Sequence, residues 1–483
     1  MSEHFGIDFG TTNSAIVGIS HDRPTYYGDE LGQPYPSIIA IDRMTGNVVC
    51  RGREAWKQRE QLRQQCEIIT SVKTLLGSEK SWLCGTRSWT PEDVTSEILR
   101  GLKEEVLKRT RGISEMKETI ISIPIGFSPK KRKSLRRAAK RIGLDVKAFV
   151  AEPTAAVYRK YSELKKWSKI AVFDWGGGTL DISVVEIKGD SIHEIATVGL
   201  RLGGDDFDIK IAEWAHNQVL KQKGGLKAFE QIHAQLRDRL IVRAEEAKRE
   251  LSIQNETNIS LNEYGEFGAI NIKVDAKTLS NLLATDINDA VSALTEAIEK
   301  RAHMSLDELG CVLMVGGTSK LRGLYERIAN TFPCEILHPE KDSDWHVAHG
   351  AAMLGQHKGS YEISQNIGLE LVDNTYFPLY KKGEIVEHEY RTWQFGLVED
   401  ADNARFIFVE GHSDGAAILT RRNRRIDYLT IPTNGFIDEA ITLQARIDED
   451  LLLQAKAKSN KKGQSKEISW SYAEMRFSYK LPL

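Results

Sequence analysis

The chain has 483 residues, enough for about three domains at roughly 150 residues each. Lysine and arginine total 66 against 68 aspartates and glutamates, a formal net charge of −2 that argues against a nucleic-acid binder working through bulk charge. A hydrophobic content of 41% with 28% charged residues excludes wholesale disorder, and 12 prolines with 38 glycines exclude a collagenous or proline-rich chain.

Cys50, Cys66, Cys84, Cys311 and Cys334 lie far apart, odd in number and without a CxxC pair. That is neither a disulfide framework nor a zinc pattern, and scattered thiols fit the cytoplasm. The histidines form no metal spacing. No apolar run approaches the ~18 residues of a membrane span, and the N-terminus has no signal-type apolar region, so no membrane partner is expected.

In chain order, Phe5–Ile19 reads as a hairpin: the apolar strand Phe5-Gly-Ile-Asp-Phe, a turn Gly10-Thr-Thr-Asn-Ser, and the return Ala15-Ile-Val-Gly-Ile. Thr90-Pro91-Glu92-Asp93 opens a helix, with Thr as N-cap, Pro at the first position and acids in the first turn. Its apolar stripe is Val94, Ile98, Leu99, Leu102 and Val106. Ile120-Ile-Ser-Ile-Pro is a strand, followed by the basic helix around Lys130-Lys-Arg-Lys, whose Leu135, Ala138, Ala139 and Ile142 supply a core face and leave the charges in solvent.

Lys169–Ile187 repeats the plan of the first hairpin, with a strand reaching Asp174, a Gly/Thr turn and the return Ile182-Ser-Val-Val-Glu-Ile. Such a repeat predicts two similar lobes. Cys311–Val315 is a further apolar strand ending in Gly316-Gly317, with a helix carrying Leu321, Leu324 and Ile328 behind it. Trp175, beside the second turn, is expected to pack between strands.

Beyond residue 358 helical periodicity gives way to period-two alternation: Ile441, Leu443, Ala445 and Ile447, a turn at Asp448-Glu449-Asp450, then Leu451, Leu453, Ala455 and Ala457. Residues 456–466 read as a flexible loop, and Arg421-Arg-Asn-Arg-Arg as a loop or an edge-strand guard. The division expected is 1–358 for two lobes, 359–366 for a linker, and 367–483 for a β-rich domain.

Two Asp-tipped hairpins suit a nucleotide–metal site. Backbone N–H groups in Gly/Thr turns can face phosphate oxygens, and glycine lets the backbone come close. Asp8 and Asp174 are candidate Mg²⁺ residues, acting through retained waters. No G-x-x-x-x-G-K-[ST] motif occurs, so a P-loop is excluded.

Phe5-Gly-Ile-Asp-Phe-Gly-Thr-Thr-Asn-Ser, Glu152-Pro-Thr-Ala-Ala, Phe173-Asp-Trp-Gly-Gly-Gly-Thr-Leu-Asp and Leu202-Gly-Gly-Asp-Asp-Phe-Asp resemble the 70-kDa heat-shock chaperones, DnaK-like proteins of the actin and sugar-kinase ATPase superfamily. Val315-Gly-Gly-Thr-Ser and Val347-Ala-His-Gly-Ala-Ala extend the match, which covers about residues 3–356. The resemblance implies an α/β, two-lobed actin-like ATPase domain with duplicated ribonuclease-H-like cores, followed by a small β-sandwich-like domain. It implies ATP or ADP with Mg²⁺ as cofactors and slow ATP hydrolysis.

By position, the resemblance makes Asp8 and Asp174 the metal-site aspartates. Gly10, Thr11, Thr12, Asn13, Gly176, Gly177, Gly178 and Thr179 become the phosphate turns, and Gly203, Gly204 and Asp205 the closure of the second phosphate lobe. Glu245, Lys248, Arg249 and Ser252 match the adenosine-gripping helix, while Gly316, Gly317, Thr318, Lys320 and Asp344 match the base side. Lys320 stands where the family usually has an arginine stacked on adenine, and a lysine lacks that planar face.

Lys73 matches the catalytic lysine, and a cation there would offset charge developing at the γ-phosphate. Glu152 and Asp181, with Thr179, are candidates for orienting the attacking water. Pro124 and Arg132 match a proline switch that relays nucleotide state.

The resemblance also has departures. The segment Ser360-Tyr-Glu-Ile-Ser-Gln-Asn-Ile-Gly lacks the family's leucine-rich linker, and no amphipathic helix is found for its helical lid. Asn374–Gly383 and Asp438–Lys458 match the sandwich weakly. Ala148 replaces a basic residue used by J-domain partners, which argues against such partners. The expectation is a chaperone-like ATPase whose β-domain binds an unfolded or specific client protein or peptide, with a nucleotide-exchange factor as a further partner. The alternatives on the same core are a small-molecule, sugar-type kinase and an actin-like nucleotide-gated assembly protein.

Overall fold

Short apolar strands joined by small-residue turns build two sheets of one plan. In a computed structural model, which describes residues 3–110, 116, 119–225, 227–373, 375–411, 424–437, 439–459, 465–469 and 477–481, the first sheet runs Val146–Ala151, Thr119–Ile123, His4–Asp8, Asn13–Ser20, Arg23–Tyr26. The second holds Glu335–Leu337, Cys311–Val315, Lys169–Trp175, Leu180–Lys188 and Ser191–Leu200 in the same relative order. In each, the strand carrying the aspartate pairs parallel on one side and antiparallel with its own hairpin return on the other. The duplication expected from two Asp-tipped hairpins therefore extends to whole sheets. The mixed α/β class follows from parallel strands, which need crossover connections and a cover on both faces.

Helices supply that cover. Pro91–Arg109 starts at a capping box in which the Asp93 N–H donates to Thr90 Oγ1 at 3.2 Å and the Thr90 N–H donates to Asp93 Oδ2 at 2.9 Å. Its predicted stripe, Val94, Ile98, Leu99, Leu102 and Val106, is buried. Behind the second sheet, Phe207, Ile211, Ala215, Leu240, Ala244 and Ile298 belong to one large apolar cluster with the strand residues Phe173, Trp175 and Ile182. Trp175 is buried there, edge-on to Phe173 and Phe207, with its indole N–H donating to the Leu202 carbonyl at 2.9 Å.

The chain divides into two compact units. Met1–Ile125, Leu135–Ile187 and Ile195–Gln356 form one, and Gly126–Ser134, Lys188–Glu194 and His357–Leu483 form the other. Two short stretches of the amino-terminal region thus group with the carboxy-terminal residues, an exchange that linear composition does not reveal.

The second unit contains two four-stranded sheets, Tyr376–Tyr380, Asn366–Glu370, Asn403–Gly411, Arg424–Pro432 and Arg391–Gly396, Ala440–Ile447, Leu453–Ser459, Ser465–Ser469. They share one core, with Leu369, Phe408, Leu429 and Ile431 from the first sheet and Leu443, Ala445, Ile447 and Ala455 from the second. The predicted alternation is the reason: inward residues of Ala440–Ile447 are buried, while Thr442, Gln444 and Arg446 are half-buried.

Within the segment 359–366, Ser360–Ile363 is a strand paired antiparallel with Phe477–Lys480, and the rings of Tyr361 and Tyr479 meet edge-on at 4.9 Å. One expectation changes here. The loop expected at 456–466 is strand at both ends, because the Ala455, Ala457, Ser459 alternation runs on through lysines that face outward. Residues 460–464, Asn374, Asp438 and Arg421, Arg422 and Asn423 of the basic run lie outside the described residues. Arg424 and Arg425 begin an edge strand, where Arg425 pairs with Glu370 at 2.6 Å.

Candidate functional site

The aspartates stand where strands end. Asp8 is the last residue of its strand, opposite Ala15 on the hairpin return and Ser122 on the parallel neighbour. Ser122 donates to Asp8 Oδ1 at 3.1 Å. Asp174 faces Asp181 directly across the second hairpin and Val315 on its other side. Thr179, in the turn, donates to Asp181 Oδ2 at 2.8 Å.

Between the two hairpin turns, threonine side chains of the first pack closely on glycine backbone of the second. Thr12 Oγ1 donates to Asp205 Oδ2 at 2.8 Å, and a Cβ on Gly177 would come within 2.6 Å of Thr12 Oγ1. The second turn is stitched to the helix Gly204–Lys223: the Asp205 N–H donates to the Gly177 carbonyl at 2.8 Å and the Gly204 N–H to the Gly176 carbonyl at 3.2 Å. This 20-residue helix aims its N-terminus toward the turns, whose carbonyls take its first N–H groups. Gly316 needs its glycine, with φ +82 and a would-be Cβ only 2.4 Å from the Trp175 carbonyl.

Lys73 arrives from the short helix Val72–Leu75 and Glu152 from the first turn of Glu152–Arg159. Their side chains, each 10% exposed, meet at 2.7 Å. Removing one partner of such a buried pair costs about 3–5 kcal/mol, because the other charge is stranded. Asp8, Glu152, Asp174 and Asp181 all act electrostatically on one another or on Lys73.

Burial raises the Asp8 carboxyl, against the pull of Lys73 and Ser122. Burial, then the charges of Glu152, Asp8 and Asp181, holds Asp174 well above the usual carboxylate range. Glu152 is pushed up to about 7, again by burial first. Burial alone would lower Lys73, yet Glu152 and Asp8 outweigh it and the ammonium is raised. The cluster therefore carries more negative groups than its one lysine can neutralise, a setting that favours an added cation.

These groups line one end of a cavity of about 400 Å³. Every residue predicted for the site lines it except Gly203, which sits behind the second turn, where a Cβ would meet the Gly177 carbonyl at 2.3 Å. Along the helix Ala234–Leu251, Glu245, Lys248 and Arg249 lie one turn apart, with Ser252 at its end. Lys248 Nζ is tied to the Gly204 carbonyl and to Asp208 Oδ1, both at 2.8 Å. Arg249 pairs with Glu245 at 2.6 Å and reaches Gln33 Oε1 at 3.2 Å. Lys320 and Asp344 pair at 3.3 Å.

Several lining residues escaped the sequence reading: Gln33, Arg53, Asp208, Ser343 and Val347. Asp208 was within reach, since it follows Gly204 by one helical turn in Leu202-Gly-Gly-Asp-Asp-Phe-Asp. Its carboxyl is pushed up to about 7 and that of Asp205 to about 6, in both cases mainly by burial. Ser122 also had a signal, as the lone hydroxyl amid Ile120, Ile121 and Ile123. Gln33 and Arg53, the latter on the helix Gly52–Leu62, had none, because only the tertiary fold brings them to the cavity.

Comparison with known proteins agrees with this geometry. A family model described as Hsp70 protein matches residues 79–387. Chaperone protein DnaK of Thermosipho melanesiensis is 31% identical over 381 residues, covering 77% of this chain and 62% of that protein. The Chaperone protein DnaK of Thermosipho africanus is 30% identical over 381 residues, with 77% and 61% covered. That of Mesomycoplasma hyopneumoniae is 30% identical over 363 residues, with 72% and 57% covered. The chain spans about three-fifths of the length of these curated relatives. Duplicated Asp-tipped hairpins, a lysine–glutamate pair at their junction and a family match over most of the chain lead to one assignment: the chain belongs to the Hsp70 family.

Proposed function

We propose that this chain binds ATP with Mg²⁺ in the cavity, hydrolyses it slowly, and couples the nucleotide state to binding of an unfolded or specific client protein or peptide by its β-rich region, 367–483. The observation that carries the reading is Lys73, a buried cation set among Asp8, Glu152, Asp174 and Asp181 beside two Gly/Thr turns. The turns offer backbone N–H groups to phosphate oxygens, and the helix N-terminus at Gly204 adds its dipole.

The donor set fits a magnesium ion. Its members are carboxylate oxygens, the ligands of a hard cation, and they are short of positive charge. Among the described residues no three metal-ligating side chains converge on one point. Asp8 and Asp174 would accordingly hold the ion through its waters, together with substrate phosphates. When bound, Mg²⁺ supplies charge neutralisation at the transferring phosphoryl group. Lys73 supplies a second, fixed cation on the same side, and Glu152 and Asp181 supply acceptors that orient a water. One Glu152 oxygen already accepts from Lys73 Nζ, which leaves the other as an acceptor for that water.

The β-rich unit offers an apolar surface at one end of its sheets. The crossover loops 397–402 and 433–439 bind each other: the Leu397 N–H donates to the Glu439 carbonyl at 3.3 Å and the Thr433 N–H to the Asp402 carbonyl at 2.9 Å. Their outer face exposes Val398, Phe436 and Ile437, each more than half exposed. Large exposed apolar side chains grouped on paired loops favour protein contacts. Pro124, which follows the strand Thr119–Ile123, and Arg132, whose Nε donates to the Asp450 carbonyl at 2.7 Å, are the proposed relay. A nucleotide-exchange factor fits as a partner, and Ala148, on the strand Val146–Ala151, argues against J-domain partners. The cytoplasm is the compartment that suits five free thiols.

Single-turnover hydrolysis of labelled ATP by the full chain tests the reading. Slow conversion that needs Mg²⁺ and no added metabolite is expected. Conversion that appears only with a metabolite would favour a small-molecule kinase on the same core.

A further inference from the structure

The chain passes from the first sheet to the second through the helix Glu152–Arg159, which leaves the strand Val146–Ala151 and leads to Lys169–Trp175. It returns through the helix His346–His357, which follows Glu335–Leu337 of the second sheet. Ala348 and Ala352 of that helix pack against Ala15, Val17 and Ile19 of the first sheet. The two helices cross with backbone against backbone: a Cβ on Gly350 would come within 1.9 Å of the Ala155 carbonyl. Both crossings begin at the cavity, one with Glu152 and the other with Ser343, Asp344 and Val347.

Polar side chains tie these crossings together. Arg159 Nε donates to His349 Nδ1 at 3.0 Å, and the Tyr26 hydroxyl lies 2.9 Å from the same nitrogen. A guanidinium only donates, so Nδ1 is the bare nitrogen and His349 carries its proton on Nε2. The Tyr26 hydroxyl also stands 3.4 Å from Asp342 Oδ2, and Arg159 Nη2 is 3.9 Å from that oxygen. Lys160 pairs with Glu340 on the same loop. Tyr26 ends an edge strand of the first sheet, and its ring meets Trp345 edge-on at 5.7 Å. The four side chains therefore come from the first sheet, from each crossing and from the loop that leads out of the second sheet. His349 is buried, and burial with Arg159 lowers it to about 4, which keeps it a neutral acceptor at ordinary pH. None of the four lines the cavity.

Resting on the reading of this cavity as a nucleotide site, we propose that Tyr26, Arg159, Asp342 and His349 form a clamp that holds the two sheets closed and slows the release of bound nucleotide. Both sheets supply cavity walls, so a nucleotide leaves as they part. Parting turns the crossings against each other and pulls this network open. The four are positioning residues, acting through the crossings without touching the nucleotide.

Release of ADP carrying a fluorescent label on its ribose tests this, with the full chain, Mg²⁺ and a chase of unlabelled ADP. Tyr26→Phe keeps the ring on Trp345 and removes only the hydroxyl. It is expected to speed release about two- to tenfold, the scale of one lost hydrogen bond. His349→Leu, which removes the acceptor of both bonds, is expected to speed it further. His349→Asn has the shape of leucine but returns a carbonyl oxygen near the place of Nδ1, and it is expected to restore slow release. A histidine that only filled space would show no such rescue. Wild-type release rates in both Tyr26→Phe and His349→Leu would overturn the proposal, as would equally fast release from His349→Asn and His349→Leu. Absence of ADP binding by the wild type would instead defeat the underlying reading of the cavity, and the clamp's role with it.

Discussion

The two units break the ordinary rule of burial in opposite directions. The cavity-bearing unit buries charge: Lys73 and Glu152 are buried, and Asp8 and Asp174 stand half-buried beside them. The β-rich unit exposes apolar surface, with Val398, Phe436 and Ile437 out on paired loops. Buried charge is costly unless it is paired or awaits a ligand, and exposed apolar surface is costly unless it awaits a partner. Under the proposed function the contrast would separate the work, with one unit serving phosphates and the other apolar protein segments.

The largest effect should come from removing the buried cation. Lys73→Ala is expected to cut single-turnover ATP hydrolysis by about 10²–10³-fold, the scale of losing one preorganised charge-stabilising group. That loss should exceed any fall in ATP affinity, and equal losses in both would reduce Lys73 to a binding residue. Asp8→Asn probes the same end, where the Mg²⁺ concentration for half-maximal hydrolysis should rise. An unaltered Mg²⁺ requirement would remove Asp8 from the metal site.

On the other side of the comparison, Phe436→Asp is expected to weaken binding of an unfolded-peptide probe by about tenfold, the cost of losing one aromatic anchor. Fluorescence anisotropy on the full chain would read it. Unchanged affinity would mean that the apolar loops serve something else.

The smallest effect concerns acid. His346 and His349, buried on the helix His346–His357, are lowered to about 4, by burial first and then by Arg159. Unfolded, both would take protons near 6.5. Their contribution to stability is therefore present above about 6.5 and is lost as pH falls toward 4. Neither ring nitrogen of His346 has a hydrogen-bond partner. His346→Leu should make the melting temperature depend less steeply on pH between 6.5 and 4, and an identical slope would place the acid sensitivity elsewhere.

Legibility followed the same divide. Where a side chain presses on bare backbone, as Thr12 does on Gly177, few residue types fit, so the turns and their aspartates could be read from the chain. The capping box at Thr90 and the alternation of Ile441–Ile447 were equally plain, because each depends on near neighbours. What depended on distant closure was hidden. Ser360–Ile363 is a strand because Phe477–Lys480 lies on one side of it and Gly383–Val386 on the other. Lysines in 456–458 suggested a loop, although the partner strand Ser465–Ser469 holds them in a sheet with their charges outward. Gln33 and Arg53 reach the cavity through contacts that no local pattern encodes.

The coupling between the two units is the central claim, and one rate tests it directly. An unfolded-peptide probe is bound to the full chain with ADP, and its release is followed after a chase with excess ATP and Mg²⁺. The account predicts faster release in ATP than in ADP, because a nucleotide can shift peptide affinity only through states that differ in it. An identical release rate in both nucleotides would contradict it.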